Sequence, residues 1–300
     1  MPGPLLTVDT PWLLYRSYFA LPASITDSED RPVNALLGTV NAILTAVEAV
    51  QPRAVVACFG CEQAAYRVKL YPPYHAHRDP MPAELAQQWH RAPALLERLG
   101  WVVTDTDELE ADDLMGSHAR VEAQAGGEAL ILTGDRDLYQ AVDERVAVLE
   151  LRRQGPPGRI DVAEVRRRYG VVPAQVPDFI ALRGDPSDGL PGAPGIGEKT
   201  ARDLLREHGT LEATIAAALR QRPRVAEALR ANVELLRRFQ EIATLVEVPV
   251  TRPPDRLTDY AGGANAAREL GMDRLAGRLT RARGRADEQL LELAADEPGS

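Results

Sequence analysis

The sequence contains little lysine and few aromatic residues. Its basic residues are almost all arginine, with Lys69 and Lys199 as the only lysines, a bias typical of a G+C-rich genome rather than of a function. Three Trp and four Phe in 300 residues leave the core to be packed mainly by aliphatic side chains. This length suits two modest domains, or one large domain with an appendage.

Long apolar runs and a secretory signal are also missing. No apolar stretch approaches the ~18 residues that a transmembrane helix needs. Residues Met1–Pro4 enter a strand-like run at once and lack the basic start of a secretory signal. We therefore expect a cytoplasmic protein with no membrane partner. The sequence does not indicate an oligomeric state.

Cysteine is limited to the motif Cys58-Phe-Gly-Cys61. Such a pair can serve in redox chemistry or form half of a zinc site, but the sequence has no second pair and no His nearby. Cys58 ends an apolar strand pattern, which favours a core residue.

The net charge of −9 argues only superficially against a nucleic-acid partner. Eight of the acids belong to one pattern, described below, that bound cations would neutralise. Arginines also crowd one region, at positions Arg152, Arg153, Arg159, Arg166, Arg167 and Arg168.

Short apolar strands alternate with helical patterns in the first half of the chain, which indicates an α/β fold with a mainly parallel sheet flanked by helices. The predicted strands are Leu5–Val8, Ala54–Phe59, Trp101–Val103, Ala129–Thr133 and Val146–Leu149. The predicted helices are Trp12–Tyr18, Asn34–Val50, Pro82–Leu99 and Asp112–Ala123. Between Tyr66 and Pro82 the pattern breaks, which fits either a surface loop or a segment that meets phosphate.

The second half is predicted to be helical. We expect an α/β domain over residues 1–165, a helical region over 166–281 and a charged tail over 282–300. Asp161 and Glu164 form a sequence similar to a capping box, and Pro177 suits the start of a short helix.

Eight acids are grouped in four short motifs, of which three lie at the end of a predicted strand or the start of a predicted helix and the fourth follows the short helix at Pro177. The carboxyl ends of parallel strands converge on one edge of a sheet, so these side chains are expected to meet. So many anions cannot all stay ionised without cations, and hard oxygen ligands favour Mg²⁺ or Mn²⁺. The eight residues are Asp9, Glu110, Asp112, Asp113, Asp135, Asp137, Asp185 and Asp188.

Each acidic motif also has a simpler explanation. Acids such as Glu110 and Asp112 favour a helix N-terminus through the helix dipole, and Thr133–Asp137 could be a turn. The coincidence of four such motifs favours a metal site.

A glycine-rich turn, Gly195-Ile196-Gly197 followed by Lys199 and Thr200, precedes a helical pattern. Glycines allow a tight turn and a close approach by a partner, and amide groups at a helix start can hold a phosphate. The alternative is an ordinary connection between helices. The spacing does not match a phosphate-binding loop of the GxxxxGK[ST] type.

Together these segments resemble the 5′-nuclease family, the flap endonucleases and 5′–3′ exonucleases related to the N-terminal domain of bacterial DNA polymerase I. The resemblance covers about residues 5–280 in the family's order, with no polymerase domain following, as in the stand-alone bacterial form. The matching segments are Val8–Asp9, Leu14–Arg16, Tyr74–Arg78, Glu110–Asp113, Thr133–Gln140 and Gly184–Ala201.

The resemblance implies a PIN-like sheet, an arch segment near residues 66–98 and a helix-hairpin-helix element. It also implies two or more Mg²⁺ or Mn²⁺ ions that clamp the scissile phosphate, ~3.5–4 Å apart. One ion would be served by Asp9, Glu110, Asp112 and Asp113, the other by Asp135, Asp137, Asp185 and Asp188, some through water.

The family's substrates imply DNA with 5′ ends, flaps or branches as the partner, together with replication or repair proteins. Arg16 and Arg78 would steady the phosphate, and His75 occupies the position of an active-site Lys. The implied DNA-binding residues are Arg67, Gly195, Gly197, Lys199 and Thr200, with a K⁺ ion often held at the hairpin.

Two departures from the family pattern lead to two hypotheses. The family usually has Asp where Gly60 stands and Lys where His75 stands; Asn is also usual at Gly189, which is a milder change. Gly60 removes one metal ligand, or a hydrogen-bond acceptor for metal-bound water, and His75 replaces a permanent cation with a group that titrates near pH 6.5 when unperturbed. The first hypothesis is a nuclease, slower or specialised; the second is a binding protein for branched DNA that cleaves poorly or not at all.

Overall fold

A six-stranded sheet is the frame of the first half of the chain in the computed structural model, which describes residues 3–295. The strands are arranged in the order β3-β2-β1-β4-β5-β6. Their bounds are β1 Leu5–Asp9, β2 Ala54–Cys58, β3 Val102–Thr104, β4 Ala129–Leu132, β5 Val146–Glu150 and β6 Gly158–Ile160.

The first five strands are parallel, as predicted. Leu5 pairs with Ala54 on one side and with Ala129 on the other, so β1 lies at the centre of the sheet. Its residues are all buried, which explains why the strand has a continuous apolar sequence rather than an alternating one. β6 is antiparallel to β5 and was not predicted, because its three residues carry no apolar pattern.

Helices cover both faces of the sheet and make up most of the second half. Their bounds are α1 Thr10–Ala20, α2 Asn34–Val50, α3 Ala65–Leu70, α4 Ala83–Arg98, α5 Ala111–Gln124, α6 Val162–Tyr169, α7 Val176–Arg183, α8 Glu198–His208, α9 Leu211–Ala216, α10 Pro223–Ala231, α11 Val233–Ala243, α12 Tyr260–Glu269 and α13 Asp273–Ala295. Three 3₁₀ turns lie at Asp137–Ala141, Pro173–Gln175 and Ala218–Arg220.

The sequence predicted α2 at its observed bounds, whereas the short α3 falls inside the segment where the pattern breaks. Asp161 caps α6 as expected, since its side chain accepts a hydrogen bond from the Glu164 amide (2.9 Å). α13 covers most of the segment predicted as a charged tail, and residues 296–300 lie outside the described residues.

Alternate residues of each strand point into two separate cores. Leu5 and Ile131 face α5, α7 and α11, so this core joins the sheet to the helical region. Leu6 and Leu132 face α1, α2, α4, α12 and α13. Both faces are therefore covered, and the carboxyl edge of the sheet is left for polar side chains. In the described part of the chain, no helix is both long enough and apolar enough to cross a membrane.

Candidate active site

Asp9 stands at the carboxyl end of the central strand and is held from two sides. Its Oδ1 accepts a hydrogen bond from the Trp12 amide (3.0 Å), which caps α1. Its Oδ2 accepts one from the buried Thr133 Oγ1 (2.6 Å), just beyond β4. Asp135 follows two residues later and accepts from the Asp137 amide (2.8 Å). The central strands therefore bring these acids to the carboxyl edge of the sheet. This edge, with Asp9, Asp135 and the carboxyl groups described next, is here called the acidic edge.

Four carboxyl groups at this edge have raised pKa values. Burial raises the pKa of Asp9 to about 6, against the hydrogen bonds from Thr133 and Trp12. Burial, with the charges of Asp188, Asp9 and Asp185, raises the pKa of Asp135 to about 7.

The same two causes act on the other two carboxyl groups. Burial and the charge of Asp135 raise the pKa of Asp112, and also that of Asp137, well above the ordinary value. Such groups either take up protons or bind cations near neutral pH.

The loop after α7 adds two further carboxylates. Asp185 and Leu190 exchange backbone hydrogen bonds of 2.7 and 2.8 Å, which closes the loop. The Asp185 side chain accepts from the Ser187 amide (2.8 Å) and lies 3.3 Å from Arg183 Nη2. Both Asp185 and Asp188 contribute to the raised pKa of Asp137, so this loop faces the same edge.

Arg67, predicted from the resemblance to bind DNA, is buried and paired with two of the predicted metal ligands. Its side chain is 4% exposed, with Nη1 2.9 Å from Glu110 Oε2 and Nη2 2.9 Å from Asp113 Oδ1. Its Nε donates to the Ile242 carbonyl oxygen (3.0 Å) at the end of α11. In this structure Arg67 therefore joins α3, α5 and the helical region and presents no surface to DNA.

Asp113, predicted as a metal ligand, accepts hydrogen bonds from protein donors on both carboxylate oxygens. It is fully buried, and its Oδ1 accepts from the Val246 amide (2.7 Å) as well as from Arg67. Its Oδ2 accepts from the Glu110 amide (3.3 Å). Its carboxylate oxygens are thus occupied by protein donors, whereas the neighbouring Asp112 has none of these bonds.

Glu110 is similarly surrounded by donors. The Ala64 amide donates to its Oε1 (2.8 Å), and the Tyr74 hydroxyl donates to its Oε2 (3.0 Å). Its charge still raises the pKa of Asp112, so it lies near the acidic edge. The sequence contained no signal for these contacts, because Ala64, Arg67 and Tyr74 are about forty residues away along the chain.

Gly60 has no room for the carboxylate that the family pattern has at its position. A Cβ atom built on Gly60 would lie 2.5 Å from the Ala111 nitrogen and 2.7 Å from the Leu109 carbonyl oxygen. The Cys61 amide also donates to the Leu109 carbonyl (3.0 Å). The backbone at the start of α5 fills the space where a side chain would stand.

His75 and Arg78 both contact Asp188. His75 is 4% exposed and has a left-handed φ of 55°, and its ring stacks on Tyr74 with centroids 3.8 Å apart. Its Nε2 lies 3.0 Å from Asp188 Oδ1, and its amide donates to the Asp188 carbonyl (3.1 Å). Arg78 Nη2 lies 3.3 Å from the same Oδ1 and is half-exposed.

Arg16 is exposed on α1, with its guanidinium 5.6 Å from the centre of the Trp12 ring. No acidic partner holds it in the described residues. About two turns earlier, Asp9 caps the N-terminus of α1, so Arg16 lies on the helix that begins at the acidic edge.

The glycine turn predicted to bind DNA faces outward. Gly195 has a φ of 77°, and a Cβ atom built on Gly195 or Gly197 would meet nothing within 4 Å. Gly197 is the N-cap of α8, and Lys199 is exposed in the first turn with Thr200 beside it. The turn therefore leaves space for a partner to approach the backbone.

The two cysteines do not form a reactive pair. Cys58 is buried at the end of β2, and burial raises the pKa of its thiol to about 12. Cys61 Sγ lies 3.1 Å from the Leu109 carbonyl oxygen. A core role for Cys58 fits these contacts.

The acidic edge offers the oxygen donors that a divalent cation prefers, but its side chains are not arranged as a complete set of metal ligands. Among the side chains that the structure describes, no three acidic, histidine or cysteine groups converge at the spacing of metal ligands. The buried Asp9 and the half-buried Asp112, Asp135 and Asp137 are nonetheless hard oxygen donors of the type that Mg²⁺ and Mn²⁺ prefer. Asp185 and Asp188, on the loop that faces this edge, are donors of the same type.

Comparison with protein families and relatives adds independent findings. Residues 4–170 match the family model "5'-3' exonuclease, N-terminal resolvase-like domain", and residues 171–260 match "5'-3' exonuclease, C-terminal SAM fold". A 5'-3' exonuclease of Mycobacterium tuberculosis is 33% identical over 314 residues, covering 94% of this chain and 98% of that protein. One from Streptomyces coelicolor is 40% identical, covering 71% of this chain and 74% of that protein.

DNA polymerases I are also similar. The enzyme of Mycobacterium tuberculosis is 36% identical over 256 residues, covering 84% of this chain, and this chain spans only 28% of the polymerase. In fold, the chain resembles the T5 D15 protein crystallised with metal ions, with a TM-score of 0.66 and 17% identity over 93% of this chain and 97% of that one. It also resembles the catalytic core of Rad2 in complex with DNA substrate, with a TM-score of 0.61 and 13% identity over 93% and 92%. By its two family matches and its full-length relative, the chain belongs to the 5′-3′ exonuclease family.

Proposed function

We propose that this chain is a structure-specific, metal-dependent 5′–3′ exonuclease and 5′-flap endonuclease that hydrolyses DNA phosphodiesters. The observation that carries the proposal is the group of carboxyl groups with raised pKa values that meet at the carboxyl edge of the sheet. The relatives named 5′-3′ exonuclease support it, as do neighbours crystallised with DNA or metal ions. Its expected place is DNA replication or repair, where 5′ ends and flaps must be removed.

Two or more Mg²⁺ or Mn²⁺ ions are the proposed cofactors. When bound, such ions polarise the scissile phosphate and lower the pKa of water to generate hydroxide near neutral pH. The proposed ligands are Asp9 and Asp112 for one position, and Asp135, Asp137, Asp185 and Asp188 for the other.

The protein's own cations prepare the site for an anionic substrate. Arg16 and Arg78 are exposed enough to hold a phosphate, and guanidinium groups suit phosphate oxygens. His75 holds Asp188 in place through its ring and its amide. Arg67 acts on Glu110 and Asp113 as a positioning residue rather than on DNA.

The outward-facing turn at Gly195–Thr200 is proposed to hold the DNA backbone. Amide groups at the start of α8 can donate to a phosphate without reading the base sequence. A K⁺ ion at this turn remains a prediction from the resemblance.

A second candidate function, binding of branched DNA without efficient cleavage, is favoured by Gly60 and His75. Gly60 offers no carboxylate, and His75 is already engaged with Asp188. The retained buried acids favour the nuclease, because a protein that only binds DNA gains nothing from groups that repel phosphate.

A cleavage assay separates the two candidates. A 5′-labelled 5′-flap duplex is incubated with the protein in Mg²⁺, Mn²⁺ or EDTA, beside a 3′-flap duplex of the same sequence. We expect cleavage of the 5′ flap only, and only with a divalent cation. Tight binding of the 5′ flap without cleavage in either metal would instead support the binding protein.

A further inference from the structure

Five of the six arginines that crowd residues 152–168 fall into two groups in the structure, and the sixth, Arg166, is exposed on α6. Arg167 and Arg168 are paired on α6: Arg167 Nη2 lies 2.6 Å from Glu164, and Arg168 Nη1 lies 2.6 Å from Glu150. Arg152, Arg153 and Arg159 are exposed. None of these three is paired with an acidic side chain in the described part of the chain. Their positive charge is therefore free to act on a partner.

These three arginines belong to one structural unit, the hairpin that joins β5 to β6 and is here called the arginine hairpin (residues 150–160). Glu150 pairs with Gly158, and Leu149 pairs with Arg159, so Arg159 is fixed by the sheet. A Cβ atom built on Gly158 would lie 3.0 Å from Arg152 Nε, which shows that the Arg152 side chain lies back over the hairpin. The unit is thus anchored rather than a loose loop.

The acids nearest to the arginine hairpin do not cancel its charge. Glu150 is bound by Arg168 and by the Tyr139 hydroxyl, and its pKa is lowered chiefly by the hydrogen bonds from these two groups against the effect of burial. Asp161 caps α6 through the Glu164 amide. The segment from 151 to 160 contains no acid, so it keeps three positive charges in a chain whose net charge is −9.

The arginine hairpin leaves the sheet beside the acidic edge. β5 is parallel to β4, with Leu149 opposite Leu132, and the Thr133 amide donates to the Leu149 carbonyl (3.3 Å). β5 therefore ends one strand, about 5 Å, from the strand that leads to Asp135. Arg153 stands three residues past Glu150, a span of at most about 10 Å, so the hairpin arginines stay close to this edge.

We propose that the arginine hairpin is a second DNA-binding element, in addition to the turn at Gly195–Thr200. It would contact backbone phosphates of duplex DNA beside the acidic edge. The inference rests on the proposed function and deepens it. Buried carboxylates repel phosphate, and a duplex brought to that edge needs positive charge close by to offset the repulsion. Arginines on a surface without base-reading pockets bind phosphates independently of sequence, as a structure-specific nuclease requires.

The test is the salt dependence of DNA binding in EDTA, where no cleavage occurs. The probe is a fluorescent 5′-flap duplex titrated between 50 and 200 mM KCl. The variant carries Arg152→Gln, Arg153→Gln and Arg159→Gln. Loss of three phosphate contacts lowers the slope of log affinity against log salt by about 2 to 3. Across this range the wild-type protein then loses about 40-fold more affinity than the variant.

Two matched variants control for charge and folding. Arg98→Gln, Arg268→Gln and Arg274→Gln make the same charge change on α4, α12 and α13, and Arg98 lies near the opposite edge of the sheet. This control should keep the wild-type slope. Replacement of the three hairpin arginines by Lys keeps the charge and should also keep the slope, which shows that changing the hairpin side chains does not itself impair binding.

The outcomes separate this inference from the proposed function. An unchanged slope in the hairpin glutamine variant, or an equal loss in the control, overturns the inference even if the protein cleaves flaps. A selective loss of slope supports the inference even if no cleavage is found, in which case only the nuclease proposal fails.

Discussion

Glu110 and Asp113, at the start of α5, differ from Asp135 and Asp137, after β4, in what neutralises their charge. Glu110 and Asp113 are bonded by Arg67 and by backbone amides. Asp135 and Asp137 are half-buried near other acids, and desolvation together with mutual repulsion raises their pKa values. The first two carboxylates are bonded by protein donors, whereas no basic side chain forms an ion pair with Asp135 or Asp137 in the described residues.

Carboxylates near this edge therefore have two different roles. Glu110 and Asp113 join α3, α5 and the helical region through Arg67. After β4, Asp135 and Asp137 leave a local excess of negative charge. Each prediction below tests one side of this comparison.

The largest effect is expected from Arg67→Met, which leaves Glu110 and Asp113 without their buried partner. Removing one member of a buried ion pair costs roughly 3–5 kcal/mol, so the free energy of unfolding in urea should fall by about that amount. Arg78→Met is the matched control, because its pair with Asp188 is half-exposed and is worth less than about 1 kcal/mol. Similar losses in both variants would contradict the distinction.

Asp135→Asn, among the carboxylates after β4, should lower flap cleavage by more than roughly 100-fold. Mutation of residues that only support a metal ligand already lowers activity or metal affinity by roughly 10- to 100-fold. Flap affinity in EDTA should stay near that of the wild type. Asp113→Asn is the comparison within the first group. If Asp113→Asn, once corrected for lost stability, abolishes cleavage as fully as Asp135→Asn, both groups bind cations and the comparison fails.

Gly60→Asp tests whether the missing carboxylate can simply be restored. The added side chain would collide with the backbone of Leu109 and Ala111, and overpacking of this kind costs roughly 1–3 kcal/mol. We expect a lower melting temperature and no gain in cleavage. Gly284→Ala, at a helical site with nothing within 4 Å, should not destabilise. Faster cleavage by Gly60→Asp would show that α5 can move to admit the ligand.

The pH dependence of stability without metal gives the smallest effect. The pKa of Asp135 is about 7 in the folded protein, above its value of ~3.9 in unfolded chains. The folded state thus binds more protons between these values, and its free energy of unfolding falls as pH rises from about 4 to 7. Asp135→Asn removes the contribution of this carboxyl group to the pH dependence.

In EDTA, Asp135→Asn should therefore be more stable than the wild type at pH 8, by an amount on the order of 1–2 kcal/mol, and should show little difference at pH 4. Urea denaturation at the two pH values measures this. An equal difference in stability between variant and wild type at both pH values would mean that folding does not raise the pKa of Asp135.

Much of the fold could be predicted because local pattern and tertiary structure agree. Buried parallel strands require continuous apolar runs, so β1, β2 and β4 could be predicted from the sequence. α2 was located at its observed bounds because its apolar residues repeat with the helical period. β6 was missed because three residues, Gly158–Ile160, pair with β5 without any pattern of their own.

The site was predictable in part for the same reason. Acids that directly follow strands, such as Asp9 and Asp135, must meet at the carboxyl edge of a parallel sheet. The partners of Asp113 could not be foreseen, since Arg67 and Val246 are 46 and 133 residues away along the chain. The crowding at Gly60 is also a tertiary effect, because it depends on how closely α5 approaches the end of β2.

The packing of α12 and α13 determines how the chain can be shortened. The family match ends at residue 260, yet Met272, Leu275 and Leu279 are at most 3% exposed in the core beneath α2 and α4. Arg278 also donates to the Asn41 carbonyl (3.0 Å). Burying one such aliphatic side chain is worth about 1.5–3 kcal/mol. We therefore expect that a fragment ending at residue 260 keeps every carboxylate of the acidic edge but fails to fold. Truncations for crystallisation or assay should keep the chain at least to Ala282.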